Sequence, residues 1–266
     1  MPDDKLQSPL DEARSVQGEY WDSVIDPQNL EDEEEVAFNL LAEMEFYRTP
    51  SQEFAWSMMD NPVGKKILEI GCGLGVNAII MGLSGAEVVG IDVAPRRLET
   101  VSEIVEVNEI EHISLLCASG EDLPFADESF DIVYANAVTI HMNKEKAIQE
   151  FYRVLKPGGK VILCEPMKYH PLVNLYRFTL APREWRDITE YYNFKQLKQL
   201  GSHFKIWGHK EYYLLSFLAF YWEFADRNLP WFLKTLDWLI PVDEWIMDNI
   251  PWSRKLAWFT VFWAEK

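Results

Sequence analysis

Lys66-Ile67-Leu68-Glu69-Ile70-Gly71-Cys72-Gly73-Leu74-Gly75 reads as a short apolar strand that ends in a glycine-rich turn. Leu74–Leu83 then shows helical periodicity, so the stretch is a strand, a tight turn and a helix start. Glycines at such a turn let a ligand approach the backbone N–H groups that a helix N-terminus leaves free. The spacing is G-x-G-x-G. A dinucleotide fingerprint, G-x-G-x-x-G, needs a glycine at position 76, where Val76 stands. That substitution disfavours a nicotinamide oxidoreductase.

Working outward, the same strand–turn–helix alternation continues. Ala86–Ile91 reads as strand two, followed by a helix over Pro95–Asn108 with proline in its first turn. Ile113–Cys117 is strand three and Phe130–Tyr134 strand four. A helix over Lys144–Leu155 ends at Lys156-Pro157-Gly158-Gly159, read as a structural turn into strand five, Lys160–Cys164. Short apolar strands alternating with helices predict a Rossmann-like, doubly wound α/β sheet. Further on, a helix is expected over Thr189–Leu200, strand six over Phe204–Trp207 and a last strand over Leu256–Trp263.

Asp92 ends strand two, 21 residues after Gly71, where an acid accepts hydrogen bonds from ribose hydroxyls. Two further motifs follow: Ala118-Ser119-Gly120-Glu121-Asp122-Leu123-Pro124-Phe125 with Ser129-Phe130-Asp131-Ile132-Val133, and Glu150-Phe151-Tyr152-Arg153-Val154-Leu155 running into the Pro-Gly-Gly turn. In this order and at these distances, the four segments resemble the class I S-adenosylmethionine (SAM)-dependent methyltransferases, in the branch similar to the ubiquinone and menaquinone C-methyltransferases. The resemblance covers about residues 65–165.

The resemblance implies a seven-stranded sheet with an antiparallel last strand and SAM as cofactor. It implies that Glu69, Gly71, Gly73 and Gly75 hold the amino-acid end of SAM, Asp92 the ribose, and that Val93 packs on the adenine. Ser119, Gly120 and Glu121 would border the ring. Relatives often carry Asp where Ser119 stands, so Glu121 or Asp122 is the alternative contact to the adenine amine. Asn136 matches a position lining the methyl-transfer site. Glu150 and Arg153 are read as helix braces.

His141 and His170 follow strands four and five, at the sheet edge where open α/β folds bind ligands. Both are candidate bases or substrate contacts, against the plainer reading of loop histidines bonded to backbone. No metal site is expected, because Cys72, Cys117 and Cys164 are scattered and lack CxxC spacing.

The ends of the chain are more individual. Residues 1–60 carry 3 Lys/Arg against 16 Asp/Glu, within a net charge of −18, and are read as an acidic, mostly helical N-terminal arm. Its amphipathic stretch is Val36–Tyr47, and Glu19-Tyr20-Trp21-Asp22 is a candidate flap over the cofactor. Asp60-Asn61-Pro62-Val63-Gly64 separates the arm from a catalytic domain over 61–266. Such acidity makes nucleic acid a poor partner. The N-terminus has no apolar leader, and the longest uncharged run of the aromatic C-terminal part, Tyr212 to Trp222, is too short to span a bilayer. A cytoplasmic protein is expected.

Eight of the 11 Trp follow residue 200, and Trp231, Trp238, Trp245 and Trp252 recur every seven residues. Pro241 and Pro251 argue against a coiled coil, so residues 213–252 are read as two or three short, core-packed helices inserted between strands six and seven. With Tyr169–Trp185 they are expected to form a lid or apolar acceptor pocket; membrane-surface docking is the weaker variant. The expected activity is methyl transfer to a small-molecule or lipid-like acceptor at O, N or C. A non-catalytic SAM-binding regulator or scaffold is the alternative, and the sequence leaves the oligomeric state open.

Overall fold

The computed structural model describes residues 48–181, 188–224 and 228–266. Val36–Tyr47, Glu19-Tyr20-Trp21-Asp22 and Trp185 lie outside the described residues. The elements run α1 (Pro50–Ser57), β1 (Lys66–Ile70), α2 (Val76–Leu83), β2 (Glu87–Asp92), α3 (Pro95–Val107), β3 (Ile113–Cys117), β4 (Phe130–Asn136) and α4 (Lys144–Val154). They continue β5 (Leu155–Pro166), α5 (Pro171–Thr179), α6 (Phe194–Gly201), β6 (Ile206–Tyr212), α7 (Phe220–Phe224), α8 (Leu229–Asn249) and β7 (Phe259–Glu265).

The seven strands form one sheet in the order β3-β2-β1-β4-β5-β7-β6. β1 to β5 pair in parallel, and β7 pairs antiparallel with both β5 and β6. The antiparallel last strand is therefore as expected, and β6 runs with the other five. The chain winds outward from β1 through β2 to β3, then crosses back to β4. The carboxyl ends of β1 and β4 thus flank the switch point, where an open α/β sheet has its crevice.

Alternate residues of each strand serve opposite faces. Leu68, Val133, Val161 and Phe262 pack under Ile148 and Phe151 of α4 and Leu197 and Leu200 of α6. Ile67, Ile132, Tyr134 and Ile162 meet Ala55 of α1 and Met59 just after it, Ala78 and Met81 of α2, and Phe232 and Leu236 of α8. Buried on both sides, the central strands read as near-continuous apolar runs.

The Lys156–Gly159 turn lies inside β5 as an irregularity. Leu155 faces Phe130, whereas Lys160 faces Ile132, so β5 bulges out between them. Gly158 takes the left-handed φ of 76 that this detour requires.

The insert between β6 and β7 differs from expectation. One 21-residue helix, α8, runs straight through Pro241. Pro241 and Asp237, whose carbonyl loses its helical donor, are both exposed, so water can satisfy that carbonyl. Nor do the spaced tryptophans pack in the core: Trp231, Trp238, Trp245 and Trp252 are 45–66% exposed. The buried stripe is instead Phe232, Leu236, Asp243 and Met247. Among the described residues, no helix is long and apolar enough to cross a membrane.

Candidate active site

Each glycine of the turn has its own physical reason. Gly71, Gly73 and Gly75 all have left-handed φ values, of 64, 53 and 76. A Cβ on Gly71 would lie 2.2 Å from Val138 Cγ2, and one on Gly75 would lie 2.4 Å from Val101 Cγ1. Those two are held by packing. At Gly73 the nearest neighbour would be Arg97 Nη1 at 3.7 Å, so of the three only Gly73 has room for a Cβ.

Asp92 ties the turn to strand two. Its Oδ2 accepts from Gly73 N (2.9 Å) and its Oδ1 from Ala94 N (3.0 Å). Each carboxylate oxygen keeps a second acceptor direction for a ligand. Glu69, buried at the end of β1, is the opposite case, because its Oε2 is sealed from solvent without a partner. Burial, reinforced by the charge of Asp92, pushes its acid up to about 8 against the pull of Asn77.

These residues line a cavity of about 300 Å³ together with Val93, Ser119, Gly120, Asn136 and His141. Of the expected cofactor residues, Glu69, Gly71, Gly73, Asp92, Val93, Ser119, Gly120 and Asn136 are thus brought together. Gly75 stands behind the wall as the left-handed N-cap of α2. Glu121 is outside the lining, with its Oε1 accepting from Asn143 N at 3.0 Å. Ser119 Oγ accepts from Glu121 N (3.2 Å), which leaves its hydroxyl hydrogen to donate.

A second, mostly apolar cavity of about 290 Å³ adjoins the first. Ala137 and His141 line both. Ala137 has a φ of 53, a strained conformation for a residue with a Cβ, held by its N–H bond to Cys164 O (2.9 Å). The rest of the second wall includes Val173, Tyr176 and Arg177 of α5, with Tyr191, Trp258 and Phe259.

His141 bonds Thr189 Oγ1 through Nδ1 (3.3 Å). Burial lowers its pKa to about 4, with Lys144 adding repulsion, so the imidazole is neutral at pH 7. His170 has another job. It is buried, lines neither cavity, bonds Leu214 O through Nε2 (3.0 Å) and caps α5 by accepting from Val173 N (3.1 Å). Both ring nitrogens are occupied by backbone, which removes it as a base.

The insert supplies no wall to either cavity among its described residues. Leaving β6 it turns onto the sheet face that carries α1 and α2; of the expected Tyr169–Trp185 stretch, Val173, Tyr176, Arg177 and Ala181 line the second cavity. Sequence reasoning also missed Glu165. Its Oε1 accepts from Val138 N, Thr139 N and Thr139 Oγ1, so it holds the wall shared by the cavities. The available signal was its strand-end position, which matches that of Glu69. Glu150 and Arg153 do brace: Arg153 donates to both Glu150 oxygens and to Leu123 O and Phe125 O. Among the described residues, no three His, Cys, Asp or Glu side chains gather into a metal-binding group.

Comparison with known proteins agrees with this geometry. A family model described as "Methyltransferase domain" matches residues 68–163. Methyltransferase GfsG of Streptomyces halstedii is 34% identical over 116 residues, 42% of either chain. Demethylmenaquinone methyltransferase of Tropheryma whipplei (strain Twist) is 32% identical over 137 residues, 48% of this chain and 55% of that one. The chain thus spans about half the length of these curated relatives. Geranyl diphosphate C-methyltransferase from Streptomyces coelicolor A3(2) superposes with a TM-score of 0.61 at 15% identity, over 97% of this chain and 98% of that one, a likeness of fold. Residues 68–163 thus match a methyltransferase domain, set in a seven-stranded sheet that shares the fold of solved methyltransferases.

Proposed function

We propose that the chain binds SAM in the first cavity and directs methyl transfer to a small apolar acceptor in the second. The observation that carries this reading is the shared wall: Ala137 and His141 belong to both cavities, so the two ligands would meet there. The first cavity fits SAM on three counts. Glu69 offers a buried, unpartnered carboxylate oxygen to an ammonium. Gly73 leaves the space that a Cβ would fill, and Asp92 keeps acceptor capacity for ribose hydroxyls.

When bound, SAM supplies a methyl group already activated by the sulfonium. The protein's task is then orientation and exclusion of water. The apolar wall of Val173, Tyr176, Trp258 and Phe259 desolvates the acceptor. His141, with a pKa near 4, is far from the value that suits a general base at neutral pH. Its neutral ring, held by Thr189, forms part of the wall that the two ligands would share. Nucleophiles that need no strong base fit such a site best.

Calorimetric titration with SAM, then transfer of labelled methyl to a cell extract, tests this reading. SAM binding and a labelled small molecule are expected. SAM binding without any transfer would favour the regulator or scaffold, and absence of SAM binding would end both readings.

A further inference from the structure

Arg177 is a cation held where cations are seldom left. It is 7% exposed, on α5, and it faces the second cavity. Its guanidinium stacks on Tyr191, with Cζ 3.4 Å from the ring centroid. Nη1 donates to Met167 O (2.8 Å) and Asn174 Oδ1 (3.1 Å). Both partners are neutral, and neither Nε nor Nη2 has a partner among the described residues. A buried charge without a counter-charge is costly, and the guanidinium stays protonated at neutral pH, since burial lowers its pKa only to about 10.

The geometry points to a carboxylate-bearing acceptor: we infer that the second cavity binds an apolar molecule whose carboxylate pairs with the Nε–Nη2 edge of Arg177. This rests on the two-cavity reading above and names the substrate class of that site. The Nε–Nη2 edge offers two parallel N–H donors, which match the two oxygens of a planar carboxylate. The Met167 and Asn174 bonds and the Tyr191 stack hold the guanidinium plane in place. The remaining lining carries no charged side chain and is mostly apolar, with His141, Thr189 and two tyrosines as its polar members, so the body of the ligand is apolar and its charge is met at one point.

The test uses the full chain and three probes of one shape: 1-naphthoate, 1-naphthamide and 1-naphthyl phosphate, titrated by calorimetry with and without SAM. Wild-type protein is expected to prefer the carboxylate over the amide by about tenfold or more, the range of charge-assisted hydrogen bonds. Arg177→Gln should erase that preference, and Arg177→Lys, a charge without a fork, should keep only part of it. Equal binding of carboxylate and amide by the wild type overturns the inference, with no variant needed. So does tighter binding of the phosphate, or a preference that survives in Arg177→Gln. Carboxylate preference without any SAM binding would refute the methyl-transfer reading and leave the Arg177 site standing.

Discussion

Glu165, at the carboxyl end of β5, accepts hydrogen bonds from both the backbone N–H (2.8 Å) and the hydroxyl (2.7 Å) of Thr139, in the loop leaving β4. Tyr192 Oη closes the set at 2.7 Å from Thr139 Oγ1. Flanking residues of that loop line the cavities: Val138 the first, Ile140 the second and His141 both. One carboxylate therefore positions the partition between cofactor and acceptor.

That position has a pH signature. Burial raises the Glu165 acid from the ordinary carboxylate range to about 7. A folded-state value above the unfolded one means the fold binds the proton more tightly. Stability from this group is full at low pH and falls as pH rises from about 4.5 toward 7. Glu165→Gln keeps a carbonyl acceptor for Thr139 but cannot ionise. At pH 8 it should narrow or reverse any deficit it shows at pH 5, by on the order of 1–3 kcal/mol. Urea melts of both proteins at pH 5, 6, 7 and 8 check this. Parallel stability curves would refute it.

The three glycines should separate by function. Gly71→Ala and Gly75→Ala force a Cβ onto Val138 and Val101, and are expected to cost about 2–4 kcal/mol of stability. Gly73→Ala meets no such clash and carries only the left-handed strain, about 1–2 kcal/mol. Its methyl group would occupy ligand space, so SAM affinity should fall tenfold or so while most of the stability remains. Calorimetric melting and SAM titration of the three variants decide. Wild-type SAM affinity in Gly73→Ala would mean the ligand does not approach that backbone.

How far the sequence could be read follows from the distance over which each feature is specified. β1 to β5 are local apolar runs, three of them closed by Gly71, Asp92 or Asn136; β1 to β4 lie close to expectation, whereas β5 already begins at Leu155. The glycine turn and Asp92 are likewise legible, since strand-end positions place them at the same edge. Arg177, Glu165 and Asp243 were not. Each is defined by partners brought in from another loop, such as Tyr191 for Arg177 and Thr139 for Glu165. α8 was misjudged because Pro241 is a helix breaker by local rules, and only its exposed position makes it tolerable.

Glu69 should report cofactor binding through protons. With its acid near 8, the carboxyl is mostly protonated at pH 7, and pairing with an ammonium group would ionise it. SAM binding at pH 7 is then expected to release close to one proton, measured by calorimetry in buffers of different ionisation heat. Glu69→Gln should abolish that release and weaken binding by about tenfold or more. If the variant releases as many protons as the wild type, the source is elsewhere.

Asp243 links the insert to the acceptor side of the site. It is buried on α8, and its carboxylate accepts from Leu214 N, Leu215 N, Ser216 N and Ser216 Oγ, at 2.6–3.0 Å. The loop so clamped offers Leu214 O to His170, and His170 caps α5, which carries Val173, Tyr176 and Arg177 into the second cavity. Removing the carboxylate strands three backbone donors. Asp243→Ala should cost about 3–5 kcal/mol, and Asp243→Asn less, because its carbonyl still accepts. The milder variant carries the sharper test, since the described residues of the insert line neither cavity. Asp243→Asn should weaken 1-naphthoate binding severalfold with SAM affinity nearly unchanged, because only the acceptor wall depends on α5. An equal loss of both affinities would mean that the insert supports the whole sheet edge, and the proposed relay through His170 would be wrong.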